Sequence, residues 1–160
     1  MRKIVSILFL TAALSATAQS NSGLCDTTEK LLFGFETKAG KTLLICLATD
    51  SSYIVYRYGA KGKVELEYPA DKRVKPNDAF KYRWYSRGGG AANLAMHDGS
   101  LSFEINEIRY EVFDSWSSED NARSVGVKVI NLKTKKETVI KGVKPVGGLI
   151  SLQDFLENPF

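Results

Sequence analysis

The sequence predicts an all-β protein, an antiparallel meander of about eight or nine strands with a short C-terminal helix. Three observations lead to this prediction. Short runs of alternating polarity recur along the chain, turn residues separate them at intervals of about ten positions, and the helical period is nearly absent. An up-and-down barrel is favoured over a two-sheet sandwich, because closure into a barrel removes exposed strand edges.

The beginning of the chain has a different character. Two basic residues are followed by an apolar run from 4 to 14 and by Ala-Thr-Ala at 16 to 18. This is the pattern of a secretory signal peptide, and the run is too short to span a bilayer as a helix. We predict a signal peptide over residues 1–18, a single all-β domain over residues 19–160, and a periplasmic or secreted protein without stable membrane insertion.

The charge of the mature chain is nearly balanced. Removal of the signal peptide leaves 20 basic and 18 acidic residues, a net charge of +2. Nucleic-acid-binding domains carry a strong basic excess, so nucleic acid is not the expected partner.

Two cysteines, Cys25 and Cys46, remain after the signal peptide. An exported chain meets an oxidising compartment, in which paired thiols form disulfides. We therefore predict a Cys25–Cys46 disulfide, which removes both residues as nucleophiles.

The first half of the domain contains two predicted strand pairs. LLFGFETK (31 to 38) and KTLLICLA (41 to 48) flank an Ala-Gly turn, and YIVYRY (53 to 58) leads through GAKG into KVELEY (63 to 68). In KVELEY, apolar and acidic residues alternate, which predicts one buried and one solvated face. Pro69 ends this strand because proline donates no hydrogen bond to a ladder.

The second half continues the alternation. The predicted strands are FKYRWY (80 to 85), ANLAMH (92 to 97), LSFEI (101 to 105), IRYEVFDSW (108 to 116), RSVGVKVINL (123 to 132) and ETVIKGV (137 to 143). Asp98-Gly99 is a typical hairpin dipeptide, which predicts that His97 lies at an exposed hairpin tip. The tail from 149 to 160 carries a capping-box pattern and predicts a short helix.

No catalytic motif is apparent. His97 is the sole histidine, and a serine triad or a zinc site needs more partners than it and two paired cysteines supply. We expect no catalytic residue, no cofactor and no metal; only a calcium site of oxygen ligands at Glu119, Asp120 and Asn121 stays open.

A run of three glycines, Gly88-Gly89-Gly90, follows FKYRWY and two further residues. Phosphate-binding loops space their glycines differently and lie between a strand and a helix. Here the glycines lie between two strand-like segments. We predict a flexible turn in which glycine supplies positive φ angles.

Aromatic residues occur on both faces of YIVYRY and FKYRWY, so one core does not accommodate them all. Exposed tyrosine and arginine are enriched at interaction hot spots. Burial by the barrel or by a covering loop is the alternative. The candidate binding residues are Arg57, Tyr58, Arg83, Tyr85, Arg87, Gly88, Gly89 and Gly90.

YRYGAKGKVELEYP (56 to 69), LLFGFETKAGKTLLIC (31 to 46) and the later RGGG resemble a pattern found in small exported bacterial all-β proteins of uncharacterised function. That resemblance implies no activity. In general plan, a signal peptide, a small barrel and a disulfide, the chain is also similar to periplasmic lysozyme inhibitors, a likeness of fold alone.

The leading functional hypothesis is an exported, non-enzymatic binding module of the bacterial envelope, with a protein or an envelope glycan as partner. Inhibition or neutralisation of an envelope-acting enzyme is one form of that hypothesis. A small hydrolase of envelope carbohydrate is an alternative, and a lipocalin-like carrier of an apolar ligand is another. The hydrolase would use carboxylates among Glu65, Glu67, Glu104 and Glu111.

Overall fold

The computed structural model describes residues 23 to 159, which form nine antiparallel strands in one curled sheet. The all-β prediction is confirmed. The predicted signal peptide, residues 1 to 18, lies outside the described residues. Among residues 23 to 159, no helix has the length and apolar character needed to cross a membrane.

The elements follow one another with short connections. The strands are β1 (Glu29–Thr37), β2 (Thr42–Ala48), β3 (Ile54–Ala60), β4 (Lys63–Tyr68), β5 (Lys81–Arg87), β6 (Met96–Ile105), β7 (Ile108–Ser117), β8 (Ala122–Asn131) and β9 (Glu137–Gly147). A one-turn helix, α1 (Pro76–Ala79), lies between β4 and β5. A single 3-10 turn, Leu149–Leu152, follows β9, where the sequence predicts a short helix.

The strand order is β4-β3-β2-β1-β9-β8-β7-β6-β5. Sequence neighbours pair throughout except between β4 and β5, and β1 pairs with β9. The sheet is therefore an up-and-down barrel left open along the β4–β5 seam, rather than two packed sheets. Pro69 ends β4, and the segment containing α1 carries the chain to the opposite edge.

Aromatic side chains of the inner face bridge this seam. The ring of Tyr68 in β4 stacks on Phe103 in β6 at a centroid distance of 4.2 Å, and Phe103 stacks on Tyr110 at 5.1 Å. Tyr56 and Phe80 pack edge-on against Phe103 at 4.9 and 5.8 Å. Side-chain packing thus joins β4 to β6, although no backbone ladder connects β4 to the β5 edge of the sheet.

A second, smaller cluster lies on the outer face of β2 and β3. Leu24 of the N-terminal segment packs there against Leu44, Cys46 and Val55. The Cys25–Cys46 disulfide, with Cα atoms 5.9 Å apart, confirms the predicted bond. It attaches the segment before β1 to the middle of β2.

Residues 148 to 159, which we call the C-terminal strap, run from β9 to the free edge of β5. The hydroxyl of Tyr82 donates to the carbonyl oxygen of Leu149 at 3.0 Å. Further along, Trp84 N–H donates to Asn158 Oδ1 at 3.2 Å, and Asn158 Nδ2 donates to Trp84 O at 2.9 Å. The strap therefore satisfies backbone groups that an edge strand otherwise exposes.

The predicted hairpin at Asp98-Gly99 is wrong. The two residues lie inside β6, which contains the predicted strand at 101 to 105 but only the last two residues of the one predicted at 92 to 97. Gly99 pairs with Trp84 on one side and Asp114 on the other, and these ladders keep the chain extended. The reversal comes later, at Asn106-Glu107, where φ is 46° and 65°.

Candidate functional site

A groove of about 450 Å³ lies on the sheet where β5, β6, β7 and β8 run side by side. Side chains alternate between the two faces of a strand, and register aligns them across strands. Tyr85, Asp98, Ser115 and Ser124 are consecutive partners in this register and form one outer-face row. We call the cavity the β5–β8 groove.

Both small and large side chains line the groove. Serines supply much of its floor, with Ala122 beside them. The floor serines are Ser115, Ser117 and Ser124. Arg83 and Tyr85 on β5 form one wall, and Tyr85 is 46% exposed. Met96, His97 and Trp116 also line the groove.

The charges of the groove almost cancel. Arg83 Nη2 donates to Asp98 Oδ2 at 3.0 Å, and both side chains remain about half exposed. Asp120, in the turn between β7 and β8, adds a second carboxylate. The lining therefore carries one cation and two anions, with the cation already paired.

Two of the predicted binding residues, Arg83 and Tyr85, line this groove. Arg87 lies two residues further along β5, opposite Met96 and on the same face as Tyr85. Its Nε donates to the carbonyl oxygen of Leu94 at 3.1 Å, and its Nη2 lies 3.7 Å from Met96 Sδ. Arg87 thus holds the loop between β5 and β6 at the end of the groove.

The three glycines belong to that loop, which spans residues 88 to 95. Gly90 and Asn93 exchange two backbone hydrogen bonds of 2.9 and 3.3 Å, which close a tight turn. The turn prediction holds, but the positive φ angles do not: among the described glycines these occur at residues 23, 40, 62 and 147. A Cβ at Gly88 or Gly90 would meet no atom within 4 Å.

Arg57 and Tyr58 lie far along the sheet from the groove, on β3. Arg57 is 2% exposed, which corrects its placement in an exposed Tyr/Arg patch. All five of its N–H donors are used, on Glu29, Glu67, Asp26 and the carbonyl oxygen of Leu24. The relevant bonds include Nε to Glu67 Oε2 at 2.6 Å and Nη1 to Leu24 O at 2.9 Å. Tyr58 faces inward and packs against the core.

His97 is not at a hairpin tip. Its ring lies between two indoles, with centroids 5.0 Å from Trp84 and 6.1 Å from Trp116. Nε2 is buried, lies 3.5 Å from Asp114 Oδ1 and has no hydrogen-bond partner among residues 23 to 159. Within the same residues, no hydrogen bond joins His97 to a serine, so no triad geometry is present.

Asp114 supports the groove from the inner face of β7. Arg123 donates to both of its carboxylate oxygens, at 2.8 and 2.9 Å, and Leu149 N–H donates to Oδ2 at 3.1 Å. A carboxylate that is 1% exposed needs such donors to offset its desolvation. The sequence gives no local signal of this role, because its partners come from β8 and the strap.

The four glutamates of the hydrolase hypothesis are separately paired with cations. Glu65 accepts from Lys41 at 2.6 Å and Glu67 from Arg57 at 2.6 Å. Glu104 accepts from Arg109 and Glu111 from Lys128, at 2.8 and 3.0 Å. The structure thus gives each of these four carboxylates a basic neighbour.

The side chains that could ligate a metal ion take part in a disulfide or in hydrogen bonds instead. The sulfurs of Cys25 and Cys46 and a carboxylate oxygen of Glu29 lie within 4.8 Å of one another, but the two sulfurs are bonded together and offer no thiolate. In the β7–β8 turn, Asp120 Oδ1 accepts from Ala122 N–H, and Asn121 Oδ1 accepts from the indole of Trp116. These oxygens stabilise the turn.

Comparison of the chain with protein-family models, with curated proteins and with solved structures found no match. The resemblance to small exported bacterial proteins therefore stays a prediction. Any functional proposal depends on the geometry of the groove itself.

Proposed function

We propose that this protein is an exported, non-enzymatic binding module of the bacterial envelope and that its partner is held in the β5–β8 groove. The observation that carries the proposal is the groove itself. It is large enough for part of a ligand, since small-molecule sites begin at about 300 Å³. It combines an exposed ring, hydroxyl groups and an ion pair on one face of the sheet.

A binding role fits this groove better than a catalytic one. Asp98 is paired with Arg83, and His97 directs Nε2 towards buried Asp114. Nucleophilic catalysis needs a base within hydrogen-bond reach of the nucleophile, and no such pair lines the groove among the described residues. Inhibition of an envelope-acting enzyme is one consequence that such binding allows.

A groove-filling variant tests the proposal. Ser124→Trp adds a large side chain to the floor at an exposed position, and tryptophan is well tolerated in strands. Val139→Trp is the matched control, because Val139 is 45% exposed on the outer face of β9, away from the groove. Urea denaturation is used to check that both variants fold.

The three proteins, each purified after expression of the full chain, are incubated with isolated peptidoglycan, with lipopolysaccharide and with extracted envelope proteins. We expect the wild type and Val139→Trp to retain the same component and Ser124→Trp to lose it. Retention of nothing by the wild type would contradict the binding role. Equal retention by all three proteins would contradict the groove as the site.

A further inference from the structure

We propose that the ligand of the β5–β8 groove is a short, neutral oligosaccharide. This inference rests on the proposed function and names the class of ligand.

The groove is about as long as a short, extended ligand. Its central row crosses four strands from Tyr85 to Ser124. Neighbouring strands lie about 4.8 Å apart, so the row measures about 14 Å. A ligand that lies across the strands therefore meets four side chains in sequence, each from a different strand.

The groups along this path match a sugar. Each hydroxyl of a sugar both donates and accepts, and the floor serines do the same. Asp98 and Asp120 supply acceptors, while Arg83 supplies donors held in place by its ion pair. Tyr85 adds an exposed ring, whose apolar face suits the C–H face of a pyranose.

The charges disfavour anionic ligands. The guanidinium of Arg83 is already paired with Asp98, and Asp120 leaves the lining with a net charge of −1. A phosphate or a uronate placed here would lose hydration without gaining an unpaired cation. A neutral ligand avoids that cost.

The floor also favours a glycan over a protein surface. Serine is depleted at protein–protein interfaces relative to the rest of the surface, whereas tyrosine and arginine are enriched there. In the groove, three serines line β7 and β8, while Tyr85 and Arg83 line β5. A ligand that spans the groove therefore meets hydroxyl groups on two of the four strands.

The experiment titrates ¹⁵N-labelled protein with three neutral trisaccharides: chitotriose, cellotriose and maltotriose. Trigalacturonate serves as the anionic counterpart. We expect saturable shifts of the Asp98, Ser115 and Ser124 amides with at least one neutral trisaccharide. Affinity should change less than about two-fold between about 0.05 and 0.5 M salt, since no net charge is neutralised on binding.

Substitutions locate the contacts. Tyr85→Ala and Asp98→Asn should each weaken binding about ten-fold, the loss expected for one stacking or one charge-assisted contact. Glu104→Gln is the matched control for Asp98→Asn, since Glu104 lies on the same face of β6 and also pairs with an arginine. It should bind as the wild type does.

Two outcomes would overturn the inference. Tighter binding of trigalacturonate than of every neutral trisaccharide would show an anion site. Failure of all three neutral sugars, together with retention of an envelope component that is lost in Ser124→Trp and destroyed by protease, would show a protein partner. That second result would leave the binding role of the groove intact.

Discussion

The carboxylate of Glu29 and the guanidinium of Arg57 form an ion pair that is buried on the outer face of the sheet. The side chain of Glu29 has no exposed surface, and that of Arg57 is 2% exposed. Burial raises the pKa of Glu29, but hydrogen bonds from Arg57, from the Asp26 main chain and from the Tyr53 hydroxyl outweigh burial and lower the pKa from 4.5 to about 2. Charge thus holds β1 to β3 beside the disulfide.

Glu29→Gln should remove a pH dependence of stability that the wild type shows in acid. Between pH 4.5 and about 2 the unfolded chain protonates Glu29 while the folded chain does not, so stability present above this window is lost as the pH falls. We expect the wild type to lose about 2 to 3 kcal/mol of unfolding free energy more than the variant across the window. Urea denaturation at a series of pH values measures the difference.

Glu104→Gln is the control for this experiment. Glu104 also pairs with an arginine, but its side chain is 48% exposed. Exposed pairs contribute little to stability, so this variant should follow the wild-type profile. Parallel profiles for the wild type and Glu29→Gln would contradict the lowered pKa.

Removal of the disulfide should weaken the fold without abolishing it. The bond joins residues separated by 21 positions, and loop closure of that length contributes about 3 kcal/mol. The double variant Cys25→Ala, Cys46→Ala should lose about that much unfolding free energy in urea. Leu24 still packs on Val55, so the variant should keep its far-UV circular dichroism. Unchanged stability would contradict the prediction.

Asn158→Ala should free the edge of β5. The side chain exchanges two hydrogen bonds with the main chain of Trp84, and their loss should cost about 1 to 2 kcal/mol of unfolding free energy. Hydrogen exchange followed by NMR should show faster exchange at the Trp84 amide. Asn93→Ala, at an exposed position of the 88 to 95 loop, is the control and should leave that rate unchanged. Equal exchange rates at Trp84 in the wild type and Asn158→Ala would show that the strap does not protect this edge.

Gly99→Ala and Gly88→Ala should differ sharply in stability. A Cβ at Gly99 would overlap the ring of Trp84, with Cζ3 only 2.7 Å away, so we expect a loss of about 2 kcal/mol. Gly88 has no positive φ, and a Cβ there meets no atom within 4 Å, so its substitution should change stability by less than about 0.5 kcal/mol. Thermal unfolding compares the two; equal losses would contradict the close packing of Trp84 on Gly99.

Local patterns predicted much of the fold. KVELEY and IRYEVFDSW form β4 and β7, as their alternation predicted, and the Asn106-Glu107 turn joins β6 to β7. The fully buried face predicted for KVELEY is wrong, because Val64 is exposed and Leu66 and Tyr68 are only partly buried. The disulfide followed from two cysteines in a chain expected to be exported. Strands and turns of this kind depend on residues that are neighbours in sequence. The disulfide depends on two cysteines that have no other cysteine to pair with.

Other predictions failed where distant segments meet. Asp98-Gly99 has the composition of a turn, yet pairing with β5 and β7 keeps it extended. Arg57 has the composition of a surface residue, yet the N-terminal segment folds over it and supplies acceptors. Neither outcome is visible in the residues on either side.

The candidate site shows the same division. Arg83 and Tyr85 were predicted from the composition of one strand, and both line the groove. The floor serines and Asp98 were not predicted as site residues. They come together only because the register of β6, β7 and β8 aligns Asp98 with Ser115 and Ser124.

By itself the sequence determined the fold class and the disulfide, since alternation of polarity and the number of cysteines need no knowledge of which strands are neighbours. Only the tertiary structure decided that the barrel stays open between β4 and β5, that Arg57 is buried, and that Tyr85, Asp98, Ser115 and Ser124 form one row. The physical reason is that strand order and register join segments far apart in the chain, and a shift of one residue would move every side chain of a strand to the opposite face.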